Sequence, residues 1–495
     1  MTPINIDRIA RILLTILSHR RSRCQQTIND QALHELFENI IPYFHTPGMY
    51  VYYPPLIQPL RVSHSWRDIF DRSILNGYYG GRLNVDVDSI IGEAIWNRIR
   101  RHTGIQNPCP YEFQVEAIVA GLNALDDVRA NLRTGNVRNI QLNPNPSIIA
   151  TLAPTGGGKT EVFEALLLQM ALDAHYGNLG IFTKAIIVYP MKAFMIEHFR
   201  RFVEDLTYIN THINANISIG ILDGDTPDSL SPQGILNRLS NLLGSSLCPL
   251  CGQVLRVRGQ APYYIIECNR GHRLNVRIAK DMIFEHPPDI LLTTVDSFNH
   301  ILLQHGRHSL LGDPSSRYVD TNLPPIILAL DEPHVYTGVF GSNVSLIIRN
   351  FEYAAQEYAR QIGLRTYRPL KIVTSATMPH AEEFLARLFV EDPGRIRVIQ
   401  SQNITSSQNN KGFLMFLPTN EFRFDNAVIE IVPLIAAILP RQYRKILVFV
   451  DSVELAERFK RYMEDFIEKG LPDYVNCRHL FQRDVYDPSR GFDPN

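Results

Sequence analysis

Apolar and polar positions alternate along this chain in blocks rather than residue by residue. The run 147–152 is apolar and leads into the glycine-rich string APTGGGKT, residues 153–160. Six later strings repeat the form: AIIVYPMKAF (185–194), SIGILDGDTP (218–227), DILLTTVDSF (289–298), PIILALDEPH (325–334), LKIVTSATM (370–378) and KILVFVDS (445–452). Strands that are apolar throughout, separated by helical segments, predict an α/β fold with a parallel sheet covered on both faces. In such sheets ligands gather at the carboxyl edge, where all these polar strings would lie. After 160, Val162, Phe163, Leu166, Leu167 and Met170 recur at helical spacing. Near the amino terminus Ile9, Leu13, Leu14 and Leu17, then Leu33, Leu36, Phe37 and Ile40, do the same. Residues 1–105 therefore read as a helical accessory segment, and no motif in them states a role.

The strand, glycine turn and helix around APTGGGKT have the layout of a phosphate-binding loop. Thr155, Gly156, Gly157 and Gly158 allow the backbone N–H groups and the helix start to converge on phosphate oxygens. Lys159 adds a full positive charge, and Thr160 a hydroxyl for Mg²⁺. At the end of another apolar run stands DEPH, 331–334. Two carboxylates facing such a loop suit two tasks, Asp331 holding Mg²⁺ and Glu332 orienting and deprotonating an attacking water. A capped strand-to-helix turn is the bland alternative. Upstream, Gln114 follows Tyr111 and Phe113 at the opening of a helix; a side-chain amide there can pair with adenine, so ATP is the expected nucleotide, with a plain surface amide as the alternative.

The 495 residues carry a net charge of −1, with 49 basic and 50 acidic side chains, so an anionic partner must be held by local clusters rather than a global field. No apolar run is long enough to span a membrane, and the amino terminus lacks a secretory pattern, which predicts a cytoplasmic protein. Of six cysteines three cluster: Cys248-Pro-Leu-Cys251-Gly is followed by Cys268 and His272. Two pairs at that spacing predict a structural Zn²⁺ ribbon over about 245–275, with a redox C-x-x-C as the rival. Arg256, Arg258, Arg270 and Arg277 make this ribbon basic and a candidate for DNA contact.

Taken together, APTGGGKT, DEPH, Ser375-Ala376-Thr377, YPMK, GDTP, TTVD and FVDS resemble, in this order, the motifs of superfamily 2 DExD/H-box helicases over roughly 108–455. YPMKAF, DGDTP and FVDSVELAERF are most similar to Hrq/Mrf-type DNA helicases and to the helicase subunits of DISARM-type phage-defence systems. The resemblance implies ATP-driven movement along nucleic acid, DNA rather than RNA, between two RecA-like lobes. It further implies that His334, Ser375 and Thr377 couple nucleotide state to the strand groove, and that Pro190, Lys192, Gly224, Thr293 and Thr294 contact the strand. Pro333 departs from the usual alanine, leaving both carboxylates in place.

The division expected is 1–105 helical, 106–398 a first RecA-like domain with the inserted ribbon, and 399–495 part of a second. No string resembles motif V or motif VI, whose arginines reach the γ-phosphate. The rest of a helicase or a partner subunit is expected to supply them, and weak hydrolysis is expected of this polypeptide alone. Two other readings stay open: a non-hydrolysing scaffold that grips ATP and DNA, and a double-strand translocase that does not unwind.

Overall fold

The computed structural model describes residues 57–401 except 81, 82, 154–157 and 377, together with 51–52, 403–405, 413–414 and 456–461. The accessory helices expected within 1–50 lie outside the described residues, as do the strand expected at 445–452 and most of the stretch 399–495 expected to form part of a second lobe. Two compact units divide the chain, one from 59 to 403 and one formed by 1–58 with 404–495. In the latter, Val51–Tyr52 pairs antiparallel with Phe413–Leu414, and 456–461 is helical.

The unit 59–403 is an α/β lobe built on one parallel sheet. In chain order its main elements are α1 (Trp66–Ile69), α2 (Arg72–Tyr79), α3 (Ser89–Thr103), α4 (Glu112–Ala124), α5 (Asp126–Arg133), β1 (Ile148–Leu152), α6 (Thr160–Tyr176), β2 (Ala185–Tyr189), α7 (Lys192–Ile213) and β3 (Ile219–Leu222). There follow α8 (Pro232–Leu243), β4 (Leu255–Gln260), β5 (Tyr263–Cys268), β6 (Val276–Arg277), α9 (Lys280–Phe284), β7 (Ile290–Thr294), α10 (Val295–Leu303), β8 (Ile327–Asp331), α11 (Gly338–Gln361), β9 (Leu370–Ser375), α12 (Ala381–Phe389) and β10 (Ile396–Gln400). Eight strands form one sheet in the order β10-β1-β9-β8-β2-β7-β3-β6, and every pairing is parallel. Five of them fall within the apolar runs after the glycine loop, and β1 is the run before it. The edge strands β6 and β10 escape the pattern: β6 has two residues, and β10 carries Arg397 and Gln400 among its apolar residues.

Alternate side chains of each strand enter different cores, as the two-residue repeat requires. Ile149, Ile187, Ile327 and Ile372 join one cluster; Ile148, Ile186, Leu328 and Val373 join the other. The first is covered by α4, α6 and α7, the second by α10, α11 and α12.

Helix α6 is apolar nearly all round and is buried on all sides, with α3, α4 and α5 packed over it. It nevertheless carries Glu161, Glu164, Gln169 and Asp173, all buried. Their partners come from the segment before the sheet. Arg98 on α3 pairs with Glu164 and, at 3.0 Å, with Asp205 of α7, and lies 3.7 Å from Glu161. Arg129 meets Asp173 at 2.8 Å, Arg133 also binds Asp173, and Gln169 receives the Asp88 N–H at 3.0 Å. Burial raises Glu164 well above its ordinary 4.5 and raises Asp205, against the attraction of Arg98. Residues 60–133 are thus the polar and steric cover of the helix that follows the glycine loop.

Replacing Arg98 with Ala leaves these carboxylates buried without a cation, at a cost of about 3–5 kcal/mol in urea unfolding. Both carboxyls have folded pKa values above their unfolded ones, so the folded state binds more protons. The deficit of the variant is therefore largest above those raised values and narrows as pH falls through them. A deficit that does not change with pH contradicts this account.

Candidate nucleotide site and metal-binding cluster

Parallel pairing sets the carboxyl ends of β1, β9 and β8 side by side, with Ser375 opposite Leu152 and Asp331 opposite Thr374. Pro154, Thr155, Gly156 and Gly157 lie outside the described residues. Gly158 closes the loop in the left-handed region, φ +75°, and Lys159 precedes α6 with its side chain buried. Across the edge Lys159 Nζ reaches Glu332 Oε1 at 2.9 Å. Thr160 opens α6, and its Oγ1 stands 3.1 Å from His198 Nε2.

Asp331 ends β8, buried, and accepts the Thr374 hydroxyl at 2.7 Å. Burial pushes its carboxyl up to about 6, opposed by that hydrogen bond. Glu332 lies outside the strand with φ 47° and ψ 50°. A left-handed non-glycine residue costs roughly 1–3 kcal/mol and is held only where its surroundings fix it. Here they do: Glu332 Oε2 accepts the Ala376 N–H at 2.9 Å and lies 3.1 Å from His334 Nδ1, while Oε1 is on Lys159. His334 Nδ1 is also 2.8 Å from Ser375 Oγ. Four of the residues expected to couple or catalyse, Lys159, Glu332, His334 and Ser375, therefore meet in one hydrogen-bonded group; Thr377 lies outside the described residues.

Gln114 is not a surface amide. It is buried at 3% exposure, its Oε1 accepts the Tyr111 N–H at 2.7 Å, and its Nε2 donates to the Gly158 carbonyl. The amide ties the opening of α4 to the glycine loop and keeps one free hydrogen-bonding position at each end. A cavity of about 620 Å³ opens beside it, lined among others by Tyr111, Gly158, Glu161, Arg201 and Pro249. Arg61 lies over the Tyr111 ring, 4.9 Å from its centroid.

The residues expected to touch a nucleic-acid strand line the same edge, after β2, β3 and β7. Pro190 is half-buried, and Gly224 is exposed and crowded by nothing. Lys192 is already engaged, on Asp223 at 2.9 Å and on Asp225, so its charge is balanced locally. Of the two threonines only Thr294 reaches the surface. Thr293 is wholly buried within β7, which corrects the expectation that its side chain meets a strand. The reason is the two-residue repeat, which turns neighbouring side chains to opposite faces.

Cys248, Cys251, Cys268 and His272 come together, with all four donor atoms within 4.8 Å of one another. Cys248 Sγ is 3.4 Å from His272 Nδ1 and Cys251 Sγ 3.6 Å from Cys268 Sγ. A tetrahedron with arms of about 2.3 Å has edges of about 3.8 Å, so the donor set fits one small cation. Each half contains a left-handed glycine, Gly252 at φ +68° after Cys251 and Gly271 at φ +81° before His272, whose N–H closes on the carbonyl of Cys248 or Cys268 at 2.9 Å. The antiparallel pair β4–β5 forms the hairpin between them. Arg256, Arg258 and Arg270 are exposed on this ribbon. Arg277 is buried in β6, where its guanidinium donates to Asn275 Oδ1 at 2.7 Å; it is removed from the basic surface expected for DNA.

His198 and Arg98 belong to none of the motif strings, and Tyr189 enters only as the first residue of YPMK. A histidine or arginine inside an otherwise apolar helical face is the signal that would have found two of them.

A Cβ on Gly158 would stand 2.6 Å from Gln114 Nε2 and 3.2 Å from Glu161 Oε2, at a φ that side chains disfavour. Gly158→Ala is expected to cost about 1–2 kcal/mol in urea unfolding and to break the Gln114 tie. Its nucleotide affinity should fall with it. Full affinity for a fluorescent ATP analogue would contradict this geometry.

Residues 137–233 match the family model described as DEAD/DEAH box helicase. No curated protein sequence matches the chain. Among solved structures, DUF1998 helicase MrfA bound to DNA is similar at 18% identity over 89% of this chain and 42% of its own, TM-score 0.47. The same helicase bound to DNA and AMPPNP gives 17% identity, 93% and 43% coverage and TM-score 0.46. Mycobacterium smegmatis helicase Lhr bound to ssDNA and AMP-PNP gives 17%, 77% and 36%, and 0.42. The chain spans less than half the length of each. The matched residues run from just before the glycine loop through the string after β3, so the likeness to the DEAD/DEAH box helicase family takes in the glycine loop, Lys159 and Thr160.

Proposed function

We propose that this chain is the ATP-binding lobe of a motor that moves along or unwinds nucleic acid. The observation that carries the reading is the meeting of Lys159 with Glu332 at 2.9 Å at the carboxyl edge of a parallel sheet, within a lobe whose glycine loop falls in the helicase-family match.

In this reading the glycine loop, 155–158, and Lys159 bind the triphosphate. Gln114 and the cavity beside it take the base, with the free positions of the amide selecting adenine. Thr160 and Asp331 would hold Mg²⁺, which when bound neutralises phosphate charge. The site suits it, because Asp331 is a buried carboxyl beside the loop whose only nearby cation among the described residues is Lys159. A triphosphate competes with Glu332 for Lys159; Glu332, still held by the Ala376 N–H and His334, is then available to take a proton from an attacking water. His334 and Ser375 link that carboxylate to the end of β9, and with Thr377 would report nucleotide state to the strand groove. Pro190, Lys192, Gly224 and Thr294 supply the strand contacts, which position a backbone without reading sequence. DNA is preferred over RNA on the strings YPMKAF and DGDTP, and a place in a cytoplasmic anti-phage complex rests on the same strings. The Cys₃His cluster takes structural Zn²⁺. Motif V and VI residues would come from the remainder of the helicase or a partner subunit.

Lys159→Ala should abolish nucleotide binding. Glu332→Gln should bind normally and hydrolyse at least about 10²-fold more slowly. Phosphate release stimulated by single-stranded DNA and not by RNA supports the motor on DNA; binding of both ATP and DNA without release identifies the scaffold instead. Strand displacement against triplex displacement separates unwinding from translocation on duplex.

One Zn²⁺ per chain is expected by elemental analysis, lost in Cys251→Ser. A metal-free protein whose thiols form a disulfide on oxidation would favour the redox alternative.

A further inference from the structure

One buried imidazole beside the glycine loop is used by none of the roles above. His198 stands on the inner face of α7 among Met195, Phe199 and Phe202, with 7% of its surface exposed. Its ring packs against Phe163 on α6, centroids 5.5 Å apart, and edge-on to Tyr189 at the end of β2, 5.3 Å away. Both nitrogens face hydroxyls: Nδ1 is 3.0 Å from Tyr189 Oη, and Nε2 is 3.1 Å from Thr160 Oγ1. The nearest carboxylate oxygen, Asp331 Oδ2, is 4.0 Å from Nδ1, outside hydrogen-bond reach.

A neutral imidazole has one N–H and one bare nitrogen, and its tautomer follows the hydrogen bonds on offer. A threonine hydroxyl that gives a lone pair to a cation must direct its own proton elsewhere, and around Thr160 the bare nitrogen of His198 is placed to receive it. We propose that His198 is a positioning residue for Thr160: Nε2 accepts the Thr160 hydroxyl proton while Nδ1–H donates to Tyr189 Oη, which turns the Thr160 lone pairs toward the metal–nucleotide site. This rests on the reading of Thr160 as a Mg²⁺ ligand. The histidine acts through the threonine and touches neither nucleotide nor metal. Tyr189 completes the arrangement, since without an acceptor for Nδ1–H the ring has no reason to keep Nε2 bare.

The test is the affinity of the protein for a non-hydrolysable fluorescent ATP analogue, measured with Mg²⁺ and with EDTA, and expressed as the ratio of the two. Thr160→Ala sets the full loss of Mg²⁺ preference. His198→Phe, which fills the space without a hydrogen bond, should lower the ratio about fivefold to tenfold, the size of one hydrogen bond, and leave the EDTA affinity unchanged. His198→Gln can both accept from Thr160 and donate to Tyr189, and should restore the ratio to within about threefold of the parent. Tyr189→Phe, which keeps the ring, should lower it about threefold. A ratio unchanged in His198→Phe or Tyr189→Phe while Thr160→Ala lowers it overturns the inference, as does an equal fall of affinity in Mg²⁺ and EDTA, which marks mere packing. If urea unfolding shows that His198→Phe does not fold, His198→Gln and Tyr189→Phe decide alone. If Thr160→Ala itself leaves the ratio unchanged, the metal-ligand reading of Thr160 has failed, a result distinct from failure of the histidine.

Discussion

The contact on which this lobe turns is the ion pair between Lys159 and Glu332. Neither group could rest there alone. Lys159 is buried to 8% exposure, and an ammonium in such a place needs a nearby counter-charge. Glu332 meets that need from a left-handed backbone position with its other oxygen bound by the Ala376 N–H. Sheet order makes the meeting possible: β9 lies between β1 and β8, so the turns leaving all three strands share one edge. Each partner is consequently pre-positioned and occupied by the other, and an anion that enters must compete for the lysine.

The helix that starts this site brings a second constraint. Because α6 is enclosed on every side, its acidic and amide side chains cannot be solvated. Arg98, Arg129, Arg133 and Asp88 are delivered to them by α3, α5 and the turn before α3. The segment ahead of the sheet is therefore a condition for burying the helix, and through Arg98 it lies 3.7 Å from Glu161, two residues from Lys159. The same helix α3 touches the Cys248–Cys251 knuckle, where Arg101 donates to the Pro249 carbonyl at 2.6 Å. Glycine loop, accessory helices and Cys/His cluster thus share one packed neighbourhood around the cavity beside Gln114.

Much of this was legible in the order of residues. Apolar runs of strand length ending in APTGGGKT, DEPH and SATM state a parallel sheet and which turns share its edge, because that periodicity and the glycine and carboxylate chemistry are local properties of short strings. The C-x-x-C-G and C-x-x-G-H strings likewise carry their own turn geometry, a left-handed glycine after Cys251 and another just before His272. The edge strands β6 and β10 were not legible, since one is too short to show a pattern and the apolar run of the other is broken by Arg397.

What only the tertiary structure decided are partnerships across long stretches of chain. That Gln114 is spent on the Gly158 backbone, that Arg98 belongs to Glu164, and that His198 bridges Tyr189 and Thr160 follow from packing elements separated by tens of residues. No local period encodes such contacts. Burial decided equally against two local readings: Thr293 beside a half-buried Thr294, and Arg277 beside exposed arginines of the ribbon, look alike in sequence. A string of residue types fixes the chemistry a side chain can offer; its exposure depends on which strands flank it.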